Sequence, residues 1–258
     1  NRTADVEAIR ELIRDEGYVL HGGGFIDEGD GNYASLTNSY EALKLGYEAG
    51  NRVIEVDLLE TSDGYLVAGH DIDDEWWAMG IGIPRDTYVT RDLYLDTQWC
   101  NRYTTMDLDM IADYMREHTD LYIVTDVKYD NISACNIIKE TCPDLMDRFI
   151  IQIYHEDEYE PVSELGFPYI IFTLYRLTDD ERTTEKLVAA AKEHELIGFT
   201  FNYLFADDDA FLDGIKKAGI PLYIHTVNYP SQIEYYFGRG IDAVYTDWTK
   251  TAIVNVVE

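Results

Sequence analysis

Residues 52–71, RVIEVDLLETSDGYLVAGHD, place two carboxylates in an apolar strand and a histidine just after a tight turn. Side chains at positions i and i+2 of a strand point to the same face, so Glu55 and Asp57 share one side. Hydrophobic residues flank both carboxylates, which is typical of a strand covered on both faces. Two neighbouring carboxylates repel each other in such surroundings unless a positive charge lies between them. A divalent cation is the simplest such charge, and a solvated strand face is the plainer alternative.

The same stretch predicts a hairpin followed by a long insertion. A turn at 62–64 sends residues 65–68 back along the strand, which brings His70 to the carboxylates. The next segment, Asp71–Thr104, is aromatic and poorly periodic, and its tryptophans are Trp76, Trp77 and Trp99. Irregular insertions of this length are often functional, so we expect a lid or subdomain that shapes the substrate pocket, with surface padding as the alternative.

Elsewhere, short β-branched runs alternate with amphipathic helical stretches. The predicted strands are 18–20, 53–58, 122–127, 150–153, 169–173, 198–201, 221–226 and 243–245. The predicted helices are 39–49, 107–118, 133–141, 179–193, 207–218 and 231–239. This α/β alternation favours a TIM (β/α)8 barrel over an open doubly wound sheet. We expect one barrel domain over residues 1–258, with 71–104 as an insertion after the second strand.

The charge balance restricts the partners of this chain. Its 20 basic and 50 acidic residues give a formal charge of -30. Nucleic acids and anionic membranes need a basic surface, so neither is expected as a sequence-independent partner. An anionic substrate would need a local cation in order to bind. The sequence has no apolar run of about 18 residues, so we expect no transmembrane segment. The oligomeric state stays open.

Neither the cysteines nor the first residue determines the cellular compartment of the protein. Cys100, Cys135 and Cys142 are odd in number and irregularly spaced, which does not indicate a disulfide framework. The chain starts at Asn1 without Met, so an extracellular or cell-envelope protein with a removed signal or anchor and a cytoplasmic protein both stay open.

Polar side chains collect where the predicted strands end, and the active site of a TIM barrel lies at those ends. The candidates are His21, Glu55, Asp57, His70, Asp126, Lys128, Gln152 and His225. His21 precedes a triple glycine, which lets the backbone approach a ligand closely. The structural alternatives are a loop histidine for His21, a turn cap for His70, an ion pair for Asp126 with Lys128, and core packing for His225.

Together these groups predict phosphodiester cleavage. Two histidines can divide the work of general acid and general base near neutral pH. Glu55, Asp57 and Asp126 offer oxygen ligands suited to one Mg²⁺ or Ca²⁺ ion. That cation and Lys128 would offset the charge on the phosphate oxygens. We therefore expect a small-molecule or polymeric phosphodiester as the substrate.

Several short motifs occur in an order that resembles a known family. They are His21-Gly22-Gly23, TNSYEA at 37–42, IEVD at 54–57, TSDG at 61–64, GHD at 69–71 and YTD at 245–247. Over most of residues 18–248 the chain resembles the glycerophosphodiester phosphodiesterases. The resemblance implies a TIM barrel of the phosphatidylinositol-phospholipase-C-like superfamily with a divalent metal. It implies His21 and His70 as the acid–base pair, Glu55, Asp57 and Asp126 as metal ligands, and Lys128 as a phosphate contact.

Three residues depart from the family pattern. Gly22 stands where the family usually has arginine, Asp126 replaces its usual glutamate, and His225 replaces its usual late-strand tryptophan. Gly22 and the Asp-x-Lys pattern at 126–128 are similar to the sphingomyelinase-D-like phospholipases, which expel an alcohol by intramolecular attack. Three functions therefore stay open: a hydrolytic phosphodiesterase, a phospholipase D-like cyclising lyase, and a barrel that binds a headgroup or carbohydrate without turnover.

Overall fold

Eight parallel strands close into a barrel in this computed structural model, which describes residues 2–27, 33–71, 82–83 and 87–253. The barrel strands are β1 (Tyr18–Leu20), β4 (Val53–Glu60), β8 (Tyr122–Val127), β9 (Phe149–Ile153), β10 (Tyr169–Thr173), β11 (Gly198–Asn202), β12 (Leu222–His225) and β13 (Ala243–Thr246). Each pairs with the next around the ring, β13 pairs with β1, and Leu20 opposite Ile54 joins β1 to β4. The predicted TIM barrel is confirmed.

The remaining strands of the described residues form hairpins. They are β2 (Phe25–Asp27) with β3 (Tyr33–Ser35), β5 (Leu66–Ala68) against β4, and β6 (Gln98–Trp99) with β7 (Tyr103–Thr104). Strand β5 runs antiparallel to β4 with Leu58 opposite Ala68, as the turn at 62–64 predicts. His70 follows two residues after the end of this short return strand.

Helices surround the barrel. They are α1 (Arg2–Glu16), α2 (Tyr40–Glu48), α3 (Arg91–Leu95), α4 (Leu108–Glu117), α5 (Asn131–Thr141), α6 (Tyr159–Leu165), α7 (Thr184–Glu193), α8 (Tyr203–Ala206), α9 (Asp209–Ile215), α10 (Pro230–Gly238) and α11 (Lys250–Ile253). Ser39 caps α2 by accepting a hydrogen bond from the Ala42 amide. The cap of α4 is Asp107, which accepts from the Met110 amide.

Helix α1 closes the end of the barrel opposite the predicted site. Its buried residues Val6, Ile9 and Ile13 pack in one cluster with Val53 and Tyr169, which begin their strands. Spacings of three and four residues place these apolar side chains on one helix face. Within the described residues, no helix is long and apolar enough to cross a membrane.

The described part of the insertion packs against the β4–β5 hairpin. Tyr94 and Trp99 are buried in one cluster with Leu59 and Val67. The Tyr94 hydroxyl also donates a 2.5 Å hydrogen bond to the carbonyl of Ala68. Trp76 and Trp77 lie outside the described residues, so the lid over the pocket stays a prediction. Among the cysteines, Cys135 and Cys142 are buried and Cys100 is exposed.

Candidate active site

Three buried carboxylates meet at the C-terminal ends of β4 and β8. Glu55 and Asp57 lie on β4, and the parallel register sets Asp57 directly beside Asp126 on β8. Glu55 and Asp57 are each 1% exposed, and Asp126 is 9% exposed. One oxygen from each of the three lies within 4.8 Å of the others. Glu55 and Asp57 therefore lie together, as the strand pattern predicts, and Asp126 joins them as the third carboxylate of a compact triad.

Asp57 is held by an asparagine and a lysine. Its Oδ2 accepts a 2.8 Å hydrogen bond from Nδ2 of Asn38, and its own amide donates to Oδ1 of Asn38 over 3.0 Å. Nζ of Lys128 lies 2.6 Å from the other oxygen, Oδ1. Asn38 has φ 49°, in the left-handed region that asparagine tolerates. No sequence pattern indicated this role of Asn38.

Asp126 accepts hydrogen bonds on both of its oxygens. Its Oδ2 lies 2.8 Å from Nζ of Lys128, and its Oδ1 accepts from the hydroxyls of Tyr154 and of Tyr175, the latter over 2.9 Å. Burial alone would raise the pKa of Asp126, but Lys128 and the two tyrosines together lower it below its usual value. Asp126 is therefore ionised, and the two tyrosines fix its orientation.

Only one of the two Glu55 oxygens has a hydrogen-bond partner among the described residues. Its Oε2 accepts a 2.6 Å hydrogen bond from the amide of Gly22, whereas its Oε1 is buried with no hydrogen-bond partner among the described residues. Burial, and then the negative charge of Asp57, raise the pKa of Glu55 to about 8. The positive charges of His21 and Lys128 only partly offset this penalty on the ionised form, and a bound cation would offset more of it.

His21 is oriented by Asp247 at the end of β13. Its Nδ1 donates to Oδ1 of Asp247 over 2.9 Å, and its Nε2 lies 4.0 Å from Oε2 of Glu55. Asp247 is itself held by Asn228, whose Nδ2 donates to Oδ2 over 2.6 Å. Burial lowers the pKa of His21, but Asp247, Glu55 and Asp57 outweigh it and raise that pKa to about 9. Asp247 and Asn228 stood at predicted strand ends, but the sequence assigned them no role.

The triple glycine bends the chain so that it meets Glu55. Gly22, Gly23 and Gly24 all have positive φ, with 59° at Gly22. A Cβ atom on Gly22 would lie only 2.5 Å from Cδ2 of Leu36 and 3.1 Å from its Cα. The arginine usual in the resembled family therefore does not fit this position without a local shift. The Gly22 amide binds Glu55, which is the close approach that the glycines allow.

His70 lies on the neighbouring chain segment. It is half-buried in the bend after β5, and the amide of the preceding Gly69 donates to the Asp57 carbonyl over 3.0 Å. This bond holds the bend that contains His70 against strand β4, which carries Glu55 and Asp57. His70 does not line the cavity that contains His21. Its part in catalysis stays a prediction.

A small cavity opens at this end of the barrel. Its lining residues are His21, Glu55, Asp126, Gln152, Thr173, Tyr175, Thr200, His225 and Tyr245. Gln152 accepts a 3.3 Å hydrogen bond from the Tyr245 hydroxyl. Nε2 of His225 is buried without a partner among the described residues. Burial, and then the positive charges of His21 and Lys128, lower the pKa of His225 to about 4, so its ring is neutral.

A larger cavity, of about 690 Å³, lies outside the barrel beside α6 and α7. Glu156, Glu193 and His194 on its wall have ligand atoms within 4.8 Å of one another. The two glutamates are exposed, and His194 already pairs with Glu156 at 3.4 Å and stacks on Tyr159. None of the predicted site residues lines this cavity.

The triad of Glu55, Asp57 and Asp126 fits a hard divalent cation. All three ligands are carboxylates, and such ions prefer oxygen. The free Oε1 of Glu55 supplies an acceptor that nothing in the described chain satisfies. The donor set is the one predicted from the sequence, and its oxygen ligands suit a hard cation better than a metal that prefers thiolate or imidazole ligands.

Several solved structures of glycerophosphodiester phosphodiesterases are similar to this chain in fold. No family model matches the chain. A glycerophosphodiester phosphodiesterase of Thermotoga maritima is similar over 93% of this chain and 97% of its own, with a TM-score of 0.70 and 18% identity. One from Parabacteroides distasonis is similar over 91% and 94%, with a TM-score of 0.70 and 19% identity.

A third similar structure is a phosphodiesterase of Oleispira antarctica in complex with its product, sn-glycerol-3-phosphate. It covers 92% of this chain and 95% of its own, with a TM-score of 0.68 and 16% identity. At these identities the similarity establishes the fold. The resemblance to glycerophosphodiester phosphodiesterases noted from the motifs is confirmed at that level.

Proposed function

We propose that this chain is a metal-dependent phosphodiesterase that hydrolyses a glycerophosphodiester or a related phosphodiester to an alcohol and a phosphomonoester. The observation that carries the proposal is the buried triad of Glu55, Asp57 and Asp126 with His21 and Lys128 at the same barrel mouth. The similarity of the fold to glycerophosphodiester phosphodiesterases supports it.

Glu55, Asp57 and Asp126 would hold one Mg²⁺ or Ca²⁺ ion. When bound, such a cation offsets negative charge on the phosphate oxygens. In a chain with a formal charge of -30, this local positive charge also supplies the attraction that an anionic substrate requires.

His21 and His70 would move the protons. The Nδ1 atom of His21 is engaged by Asp247, which leaves Nε2 as the atom that exchanges a proton with the substrate. His70, which follows the Gly69 amide bound to the Asp57 carbonyl, would carry out the other of the two proton transfers. One histidine takes the proton of the attacking water, and the other protonates the leaving alkoxide.

Lys128, Gln152 and His225 would bind the substrate. The protonated Lys128 suits a phosphate oxygen. Gln152 and the neutral His225 line the cavity on β9 and β12 and offer uncharged hydrogen-bonding groups. Uncharged groups of this kind suit the hydroxyls of an alcohol portion rather than a second charge.

The test is product analysis by ³¹P NMR on glycerophosphodiesters, with Mg²⁺, with Ca²⁺ and with a chelator. We expect a phosphomonoester that forms only with a divalent cation. Glu55→Gln should abolish turnover, and Glu60→Gln, on the exposed end of the same strand, should not. Asp126→Asn should weaken the calorimetric binding of Mg²⁺ or Ca²⁺, because a neutral amide attracts a cation less. Turnover that is unaffected by the chelator would contradict metal dependence.

The second candidate is a phospholipase D-like cyclising lyase, favoured by the absence of a side chain at Gly22 and by Asp126 in the Asp-x-Lys pattern. A cyclic phosphate in the same NMR experiment would identify it. If no diester is consumed under any condition while the cation and a diester still bind, the barrel binds a headgroup or carbohydrate without turnover.

A further inference from the structure

Lys128 lies between two of the three carboxylates of the triad. Its Nζ is 2.6 Å from Oδ1 of Asp57 and 2.8 Å from Oδ2 of Asp126, and its side chain is only 14% exposed. In this position one ammonium compensates two neighbouring buried negative charges. Glu55, the third carboxylate, receives no hydrogen bond from it.

The other oxygens of the same two carboxylates also accept hydrogen bonds. Oδ1 of Asp126 accepts from both Tyr154 and Tyr175, and Oδ2 of Asp57 accepts from Asn38. A carboxylate oxygen has two acceptor sites, so Oδ1 of Asp126 is filled. On Asp126 the oxygen with room for a cation is therefore the one that Lys128 contacts, whereas Oδ2 of Asp57, with its one hydrogen bond, keeps one acceptor site beside the oxygen that Lys128 contacts. Two positive charges on the same oxygens repel each other strongly in a buried site.

We propose that Lys128 and a divalent cation compete for Asp57 and Asp126, so that its ammonium leaves these carboxylates when the cation binds and becomes available to the substrate phosphate. The inference rests on the proposed function, because it assigns the cation to this triad. It adds an order of events: the phosphate contact of Lys128 forms only after the cation is in place.

The surrounding contacts confine this movement to the lysine side chain. The amide of Lys128 donates to the carbonyl of Leu58 over 3.2 Å, which ties β8 to β4. Arg176 donates to the carbonyl of Val127 over 2.8 Å and stacks on the Tyr154 ring. The backbone is thus fixed on both sides. A four-carbon stem with rotatable bonds can still move its ammonium by several ångströms.

The first measurement is calorimetric titration of Mg²⁺ and of Ca²⁺ into the unmodified protein and into Lys128→Met, without substrate. Removing the competitor should tighten cation binding about tenfold or more, the scale on which one nearby charge changes the affinity of a carboxylate for a proton. Arg176→Met is the matched control, because it removes a nearby cation that contacts no carboxylate of the triad. Equal tightening in both variants, or none in Lys128→Met, would overturn the proposal.

The second measurement uses the unmodified protein and does not depend on how Lys128→Met folds. A crystal structure with Mn²⁺ should show the cation on the triad and Nζ of Lys128 beyond hydrogen-bond distance of both Asp57 and Asp126. A cation on the triad with Lys128 still bonded to both aspartates would overturn this inference and leave the proposed function intact. No cation bound by either the unmodified protein or Lys128→Met would overturn both.

Discussion

Nδ1 of His21 donates a 2.9 Å hydrogen bond to Oδ1 of Asp247, across 226 positions of the sequence. Strands β1 and β13 are neighbours in the barrel, so this contact is made where the first and last barrel strands end. The bond fixes which histidine nitrogen faces the cavity, because the ring can turn only by breaking it. Asp247 is thus a positioning residue for His21.

Asp247→Asn should lower kcat by up to about 10⁴-fold with little change in KM, because a neutral amide does not stabilise the protonated ring and can hold the wrong tautomer. Asp213→Asn, on the exposed face of α9, is the matched control. A double-mutant cycle gives the sharper result: in a His21→Ala background, Asp247→Asn should add little further loss. If the loss of kcat in the double variant equals the product of the two single losses, Asp247 does not act through His21, and the positioning role is contradicted.

His21→Ala and His70→Ala should each lower kcat by roughly 10²–10⁴-fold, the usual scale of general acid–base catalysis. The proposed ligands are carboxylates, so calorimetric cation binding should largely survive both changes. A diester with an activated leaving group should rescue the variant that lacks the acid and not the one that lacks the base. His118→Ala, at the C-cap of α4 away from the site, is the control. Near-normal turnover in both alanine variants would show that His21 and His70 are not the catalytic acid and base.

The barrel itself was predictable from the sequence. Val53, Tyr122 and Tyr169 each begin a strand where the sequence predicts one, because β-branched and aromatic runs bounded by turn residues are a strong local signal. The helix that carries Val6, Ile9 and Ile13 was not among the predicted ones, although the spacing of these residues is that of one helix face. That this helix closes the barrel end depends on contacts made by residues far apart in the sequence, so no local pattern could show it.

The carboxylate triad was also predictable, whereas its supports were not. Glu55 and Asp57 follow from strand periodicity, and Asp126 follows from the alignment of parallel strand ends. Asn38 and Tyr154 bind Asp57 and Asp126 through hydrogen bonds whose geometry exists only after the chain has folded. Side chains of this type have many structural uses, so their composition alone does not reveal such a contact.

Gly22→Ala should lower the free energy of unfolding by about 1–3 kcal/mol, since it combines a left-handed backbone with crowding against Leu36. Gly64→Ala is the matched control, because Gly64 also has positive φ, 83°, but has open space around its Cβ position. Urea unfolding should show a larger loss for Gly22→Ala. Adding Leu36→Ala should recover the difference between the two glycine variants. If both glycine variants lose the same unfolding free energy, the Leu36 side chain moves away from the new methyl group without an energetic penalty.

The final prediction concerns the neutral ring of His225. Its folded pKa is about 4, against an ordinary value of 6.5, because burial and the nearby His21 and Lys128 disfavour its charged form. The unfolded chain therefore takes up this proton first as the pH falls. The stability linked to His225 is complete above pH 6.5 and is lost as the pH falls to about 4. The whole difference corresponds to roughly 3 kcal/mol.

His225→Gln should therefore flatten the fall in unfolding free energy between pH 6.5 and pH 4, measured by urea unfolding in chelator. In the unmodified protein, the ring resonance of His225 followed by NMR should not titrate above about pH 5. Tyr175 and Tyr245 flank the ring at centroid distances of 5.9 and 6.5 Å and carry no charge in this range. Burial is the largest cause of the low pKa of His225, and the positive charges of His21 and Lys128 add to it while Asp126 opposes it. A resonance that titrates near pH 6.5 would show a solvated ring and remove His225 from the buried substrate contacts.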